Sequence, residues 1–235
     1  MRAWFHRVSA WFHRVSSSGR YDLLMRLPII AFTGYFLAKE SAALRYFIGI
    51  PSYASGIDWK FIVAFAAHVS AIVFLLLLAV FHLVRARPVM KSRGVQPRAS
   101  ALIGLTLANL VFLFPRADPV PLLNLLSSVL ILGGNYFCLV TLLALGRSLS
   151  IMPEARRAVM DGPYARIRHP LYLAEEIAVF GLFLQFRSIP VALILLAHFG
   201  FQILRMKNEE RVLADAFPAY ADYMKRTARL VPGVY

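Results

Sequence analysis

The sequence contains one cysteine and few charged residues. Because Cys138 is the single cysteine among 235 residues, an internal disulfide framework and a cysteine-rich metal site are excluded. Charged residues make up 16% of the chain, against about 25% in an ordinary soluble domain, whereas 59% of the residues are hydrophobic. This composition excludes a disordered chain and argues against a soluble globular enzyme.

Several catalytic motifs are also missing. The chain has no glycine-rich phosphate loop and no G-x-S-x-G nucleophile elbow. No set of histidine, aspartate and glutamate residues has the spacing of metal ligands, so the sequence predicts no metal site. His68 and His82, which lie alone within apolar runs, are interpreted as interhelical hydrogen-bond partners.

Acidic residues are scarce relative to basic ones. The chain has 26 lysines and arginines but 12 aspartates and glutamates, which gives a formal net charge of +14. The cations are divided among four segments rather than gathered on one module, so we expect no nucleic-acid partner. A chain that is both basic and very apolar is typical of a membrane protein whose cations lie in cytoplasmic loops.

What the sequence does have is a series of long apolar runs. A membrane-spanning helix needs about 20 mostly apolar residues. Six runs are candidates: Leu23–Ala38, Phe61–Val84, Ala99–Phe114, Leu122–Leu145, Leu171–Phe186 and Ile189–Leu204. The last two are separated by only a few residues, so we expect them to form a helical hairpin. The predicted fold class is therefore all-α: a polytopic membrane helix bundle of about six transmembrane helices, followed by a cytoplasmic C-terminal segment.

Positive charge alternates between the segments that connect these runs. With six crossings, 21 of the 26 lysines and arginines fall on one side of the membrane, in the two terminal segments and in the loops after the second and fourth runs. Cytoplasmic loops carry such an excess. We therefore expect a multi-pass protein of the bacterial inner membrane or an equivalent, with both termini in the cytoplasm and membrane lipids around it.

The N-terminus carries a repeat. Residues 3–9 read AWFHRVS, and residues 10–16 read the same letters again. A period of seven places the tryptophans and phenylalanines on one helix face and the arginines on another, which is typical of an interfacial helix. An amphipathic interfacial segment over residues 1–20 is one interpretation, and a duplication without a role is the other. Residues 21–145 are then predicted to hold four transmembrane helices.

Polar residues at membrane depth concentrate in the remaining region, residues 146–235. In the sixth run and its extension they recur at spacings of four, three and four: His198, Gln202, Arg205 and Glu209. This spacing places them on one face of a helix. Because charged residues facing lipid are unfavourable, the stripe predicts either an internal ladder of ion pairs or a binding pocket, and we favour the pocket.

A sequence motif lies just before the fifth run. Residues 162–172 read G-P-Y-x-x-x-R-H-P-x-Y, and Asn208, Glu209 and Glu210 follow on the next predicted helix. This combination resembles the integral-membrane methyltransferases of the isoprenylcysteine carboxyl methyltransferase and phospholipid N-methyltransferase superfamily. The resemblance covers roughly residues 146–235 and implies a binding site for S-adenosylmethionine built from a loop, the two-helix hairpin and a C-terminal cytoplasmic helix.

The resemblance also implies roles for individual residues. The positions that match the cofactor site are Tyr164, Arg168, His169, Pro170, Leu171, Tyr172, Glu209 and Glu210. The stretch 156–159 aligns with another cofactor-contacting segment. The chemistry suits these roles, because Arg168 and His169 can bind a carboxylate and the glutamates can accept from ribose hydroxyls or an ammonium. Arg205 matches an arginine that the family places near the transferring methyl group.

The chain departs from the family pattern directly after R-H-P-x-Y, where it has Glu175 and Glu176. We take both, with Arg205, as catalytic candidates. These carboxylates are suited to attract an amine-bearing substrate, to neutralise Arg205 or to assist the loss of a proton. A carboxylate acceptor needs no general base, whereas an amine or a thiol must lose a proton.

The expected function is therefore methyl transfer from S-adenosylmethionine to a lipophilic acceptor that enters from the bilayer, either a prenylcysteine-type carboxylate or a lipid amine. Two alternatives stay open. One is a membrane reductase of the sterol-reductase type that uses NADPH, and the other is a membrane protein that binds a ligand without reaction. The sequence does not indicate the oligomeric state.

Overall fold

A computed structural model describes residues 26–49 and 59–233. Within these ranges it contains seven α-helices: α1 (Leu27–Ile48), α2 (Trp59–Val84), α3 (Gln96–Thr106), α4 (Pro121–Leu145), α5 (Pro170–Gln185), α6 (Ile189–Ala216) and α7 (Pro218–Arg226). Three 3-10 segments cover Leu107–Leu113, Gly146–Ser148 and Gly162–Ala165. The strands β1 (Met90–Lys91) and β2 (Glu154–Ala155) pair antiparallel. The predicted interfacial segment and its repeat lie outside the described residues.

Each of the six predicted runs contains a helix, but the bounds differ. The described part of the first run begins in α1, which continues past Ala38 to Ile48. The third run is α-helical only to Thr106 and then continues as a 3-10 helix. The sixth continues well past Leu204 to Ala216, so the helix that carries the polar stripe is longer than its apolar part.

Among the described residues, three helices are long and apolar enough to cross a membrane: Phe61–Val84, Pro121–Ser148 and Ile189–Ala216. Helices of this kind support a multi-pass membrane protein. The count of six crossings, which also requires the runs in α1, α3 and α5, stays a prediction.

The helices of the last two apolar runs, α5 and α6, form the predicted hairpin. Only residues 186–188 separate α5 from α6, and the Ser188 side chain caps α6 by accepting from the Val191 amide. The contacts run in opposite directions along the two helices, since Tyr172 contacts Glu209 and Glu175 contacts Gln202. The two helices are therefore antiparallel.

Small residues let α5 approach α4 closely. A Cβ added to Gly134 of α4 would lie 2.7 Å from the Ala178 backbone nitrogen, and one added to Gly181 of α5 would lie 2.9 Å from the Ser127 carbonyl oxygen. Ser127 also donates a hydrogen bond to the Gly181 carbonyl at 2.7 Å. Small residues and serine at such a contact are typical of helix pairs within membranes.

The segment after α7 returns to the loop that precedes α5. The amide of Arg168 donates to the Ala228 carbonyl at 2.8 Å, and the amide of His169 donates to the Arg229 carbonyl at 3.1 Å. Residues 167 and 228 form an isolated parallel bridge. The C-terminal segment is thus attached by its backbone to the R-H-P-x-Y motif.

Candidate functional site

The R-H-P-x-Y motif forms the start of α5. Pro170 lies in the first turn, where a backbone N–H would have no acceptor within the helix, so the lack of an N–H in proline costs no hydrogen bond. Its ring is fully buried, and the side chains of Tyr164 and His169 beside it are also buried. The Tyr223 hydroxyl of α7 donates to the Tyr164 carbonyl, which joins the loop to the C-terminal helix.

Glu210 connects three parts of the chain. Its Oε1 lies 3.1 Å from His169 Nε2 and 3.1 Å from Arg168 Nε. Arg229 contacts both carboxylate oxygens, at 2.9 Å from Nε and 2.7 Å from Nη2. A buried carboxylate needs such cationic partners. Glu210 therefore fastens the motif and the C-terminal segment to α6.

A cavity of about 360 Å³ begins at this motif and extends into the helix bundle. Eight of the eleven predicted site residues line it: Tyr164, Arg168, His169, Leu171, Tyr172, Glu175, Arg205 and Glu209. The other three, Pro170, Glu176 and Glu210, are not among the lining residues. Arg157 and Val159 of the aligned stretch 156–159 line it as well.

The polar stripe of α6 meets α5 through a chain of contacts. Arg205 Nη1 donates to Gln202 Oε1 at 2.6 Å, and Gln202 Nε2 donates to Glu175 Oε2 at 2.9 Å. The Tyr172 hydroxyl donates to Glu209. The guanidinium carbon of Arg205 lies 4.9 Å from the Tyr172 ring centroid, within cation–π distance. These contacts hold the charged groups in place at the cavity wall.

Arg205 is 6% exposed, and α3 leaves room for its stem. A Cβ on Gly104 would lie 2.7 Å from Arg205 Cδ. Within the described ranges Arg205 Nε has no hydrogen-bond partner. A buried donor without a partner is unfavourable, so this nitrogen is free to donate a hydrogen bond to a bound group.

The remaining member of the stripe, His198, pairs with Glu176 of α5. His198 Nε2 and Glu176 Oε1 lie 3.2 Å apart, without hydrogen-bond geometry. His198 is buried, and neither residue is among those that line the cavity. The stripe therefore combines features of a pocket and of an internal ladder. Its Arg205 and Glu209 end lines the cavity, whereas His198 at the other end pairs with Glu176.

Away from the motif, the cavity wall is mostly apolar. Its lining there includes Phe32, Phe36, Phe74, Leu75, Leu78, Leu105 and Phe112, from α1, α2, α3 and the 3-10 segment that follows α3. Glu40 also lines this part, and its Oε2 lies 2.8 Å from His68 Nδ1, which agrees with the interhelical role predicted for His68. The sequence did not indicate these residues, because a helix that is apolar on every side gives no signal of which face borders a cavity.

Three tyrosines near the motif remain neutral phenols. Burial raises the pKa of Tyr164 and of Tyr220 well above the ordinary range, and it raises the pKa of Tyr223 to about 12. Tyr220 lines the cavity, so α7 contributes a neutral aromatic side chain to its wall.

Residues 126–215 match the model of the isoprenylcysteine carboxyl methyltransferase (ICMT) family. The match confirms the predicted resemblance. It covers most of α4, the motif, α5 and nearly all of α6, and these elements carry Tyr164, Tyr172, Glu175, Arg205 and Glu209.

Two relatives have names that refer to metals. The chain is 31% identical over 136 residues to the cobalt-zinc-cadmium resistance protein CzcN of Cupriavidus metallidurans, covering 56% of this chain and 60% of that protein. It is 32% identical over 80 residues to the nickel-cobalt-cadmium resistance protein NccN of Alcaligenes xylosoxydans xylosoxydans, covering 34% of this chain and 38% of that protein. The part of the chain that the structure describes contains no group of three or more histidine, cysteine, aspartate or glutamate residues able to hold a metal ion.

The ICMT match does not include every residue of the site. Two parts follow the matched range: α7, with Tyr220 and Tyr223, and the C-terminal segment, with Arg229. The helices α1 to α3 precede it. Tyr220 lines the cavity, Tyr223 is bonded to the motif loop and Arg229 contacts Glu210. Parts of the chain on both sides of the matched segment thus contribute to the site.

Proposed function

We propose that this chain is an integral-membrane methyltransferase that uses S-adenosylmethionine and methylates a lipophilic acceptor. One observation carries the proposal: a single cavity joins the polar residues of the R-H-P-x-Y motif and Glu209 to an apolar interior. A polar cofactor and an apolar acceptor need such a combination. The ICMT match over α4 to α6 supports the same reaction class.

The lining residues suit S-adenosylmethionine. This cofactor carries a carboxylate, an ammonium, ribose hydroxyls, an adenine ring and a sulfonium. Arg168, His169 and Arg157 present cationic or donor groups, Glu209 presents an acceptor, and Tyr164 presents an aromatic ring. The buried Arg205 Nε adds a donor without a partner. The site therefore offers hydrogen-bond donors, hydrogen-bond acceptors and an aromatic ring that suit the different parts of the cofactor.

When bound, S-adenosylmethionine supplies a methyl group activated by positive charge on sulfur. Arg168, His169 and Glu209 would hold the cofactor, and Leu171 would contribute to its site from the first turn of α5. Arg205, held by Gln202 and the Tyr172 ring, orients the acceptor. Positioning and the exclusion of water by the surrounding helices provide most of the acceleration.

The acceptor reaches the site from the bilayer. The apolar part of the cavity is lined by phenylalanine and leucine side chains from α1 to α3, which suits an alkyl or prenyl chain. A prenylcysteine-type carboxylate and a lipid amine are the two classes of acceptor that the proposed function allows.

We further propose six membrane crossings, with both termini in the cytoplasm of a bacterial inner membrane or its equivalent. The excess of lysine and arginine in alternate segments supports this orientation. It places the motif, α7 and the C-terminal segment on the side where S-adenosylmethionine is made.

The test is methyl transfer to lipid. Membranes from cells with and without the protein are incubated with S-adenosylmethionine labelled in the methyl group, and the extracted lipids are separated and identified by mass spectrometry. A labelled product found only with the protein supports the proposal. Saturable binding of NADPH without binding of S-adenosylmethionine would favour the reductase alternative, and cofactor binding without any labelled product would favour a protein that binds but does not react.

The names of the two relatives refer to metal resistance, which suggests a biological role for the reaction. We propose that methylation by this chain contributes to tolerance of divalent metals such as cobalt and cadmium. Growth of a deletion strain is compared at rising metal concentrations, after complementation with the wild type or with Arg205→Gln. Restoration by the wild type alone supports this role, whereas equal growth of all strains contradicts it.

A further inference from the structure

Glu175 lies where the polar and apolar parts of the cavity meet. It stands in the second turn of α5 and lines the cavity beside Tyr172 and Arg205. Its Oε2 accepts the hydrogen bond from Gln202, and no hydrogen bond to its Oε1 is present in the described part of the chain. A carboxylate oxygen at the cavity wall therefore has capacity for a further donor.

Arg205 does not neutralise this carboxylate directly. Within the described ranges no ion pair joins Arg205 to Glu175 or to Glu209. The Gln202 amide lies between the cation and Glu175, with its oxygen toward Arg205 and its nitrogen toward the carboxylate. This orientation keeps the two charges apart, and it leaves the buried Arg205 Nε without a partner.

Near Arg205, the cavity wall has more carboxylates than guanidinium groups. Two carboxylates, Glu175 and Glu209, lie near one guanidinium, that of Arg205, and the other arginines that line the cavity are Arg157 and Arg168. The nearby side chains of Arg168 and His169 contact Glu210. A substrate carboxylate would add a further negative charge in a region of low dielectric. A substrate ammonium would instead pair with a glutamate of opposite charge.

We propose that the methyl acceptor is a lipophilic amine, which binds as an ammonium to Glu175. The inference rests on the proposed methyltransferase function and narrows its substrate class. The ammonium gives one proton to Glu175 Oε1 and becomes a neutral amine. The amine nitrogen then forms a bond to the methyl carbon, the bond between that carbon and sulfur breaks, and its electron pair remains on sulfur as a thioether. The product is a methylated ammonium.

Gln202 is the positioning residue for this step. Its amide donates to Glu175 Oε2, and in the described part of the chain this leaves Oε1 as the oxygen without a hydrogen bond. Glu176, the next residue, contacts His198 and does not line the cavity, so it is not in position to take the proton. The structure thus separates two carboxylates that are adjacent in the sequence.

Two probes with the same chain length test this inference. The full chain in lipid nanodiscs is given labelled S-adenosylmethionine and either dodecylamine or N-acetyl-S-dodecylcysteine, which offers a carboxylate. We expect methyl transfer to the amine. Glu175→Gln reduces that transfer about tenfold or more and also weakens binding of dodecylamine measured without cofactor. Binding of S-adenosylmethionine stays close to that of the wild type. Asp215→Asn, which removes an exposed carboxylate of α6 outside the cavity lining, is the charge-matched control.

The dependence on pH provides a readout that a structural role would not change. In the wild type, transfer to dodecylamine rises with pH as Glu175 ionises and then levels off. In Glu175→Gln only the amine that is already neutral reacts, so the rate keeps rising toward the pKa of an alkylamine, about 10. Transfer to the carboxylate probe alone, or identical rates and pH profiles for the wild type and Glu175→Gln, would overturn the inference while leaving methyltransferase function intact. Absence of S-adenosylmethionine binding by the wild type would instead refute the proposed function.

Discussion

At the scale of single residues, Glu209 and Glu210 show how adjacent carboxylates of one helix differ. Glu209 lines the cavity and accepts from the Tyr172 hydroxyl. Glu210 instead contacts two arginines and a histidine from the motif and the C-terminal segment. The sequence assigned both to the cofactor, because a motif gives the residue type but not the direction of the side chain. Cofactor contact by Glu210 stays a prediction, and its visible contacts are with protein.

The loss of the Glu210 charge is therefore expected to weaken the fold near the motif. In Glu210→Gln, Arg168 and Arg229 lose a charged partner that is itself buried, and breaking a buried ion pair costs about 3–5 kcal/mol. We expect a lower unfolding temperature in detergent and faster proteolysis of the C-terminal segment. Asp222→Asn is the control, because the ion pair of Asp222 with Lys225 is exposed and contributes little. Equal effects of the two substitutions would contradict this role of Glu210.

At the scale of helices, close contact between α4 and α5 positions the motif. Gly134 and Gly181 face backbone atoms of the partner helix, so a larger residue at either site would push the helices apart. The Ser127 hydrogen bond to the Gly181 carbonyl adds a polar contact within the same interface. α5 carries Tyr172 and Glu175, and its distance from α4 therefore affects the shape of the cavity.

Neighbouring glycines of α4 provide a matched pair for this contact. A Cβ on Gly134 would lie 2.7 Å from the Ala178 nitrogen, whereas a Cβ on Gly133 meets nothing within 4 Å. Gly134→Ala is expected to destabilise the protein by about 1–3 kcal/mol through overpacking. Gly133→Ala is expected to be neutral or stabilising, because alanine favours the helix by about 1 kcal/mol over glycine. Thermal unfolding of both variants measures the difference, and a larger loss in Gly133→Ala would refute the packing argument.

At the scale of the whole molecule, the alternating distribution of cations predicts the orientation. Alkaline phosphatase is active only outside the cytoplasm, where its disulfides form, whereas a fluorescent protein matures inside. Fusions of each to the C-terminus are compared. With both termini in the cytoplasm, we expect fluorescence and no phosphatase activity. An active phosphatase fusion would require an odd number of crossings or the reverse orientation.

The sequence predicted the parts of the molecule whose signals are local. Long apolar runs predicted the positions of the helices. The motif at residues 162–172 predicted five residues that line one cavity, and its flanking sequence and the polar residues of the next helix predicted three more. It did not predict the change to a 3-10 helix at Leu107, because that stretch remains as apolar as the helix before it. The space that Gly104 gives to Arg205 and the apolar wall from α1 and α2 depend on contacts between distant segments, for which a single sequence has no signal.

The central claim is that the cavity at the motif binds S-adenosylmethionine, and its most direct test is equilibrium binding of the labelled cofactor to the purified full chain. We predict saturable binding of about one molecule per chain. Glu209→Gln is expected to weaken this binding about tenfold or more through loss of a charged acceptor, while the exposed Asp215→Asn binds as the wild type does. Absence of saturable binding by the wild type, or equal binding by both variants, would contradict the account.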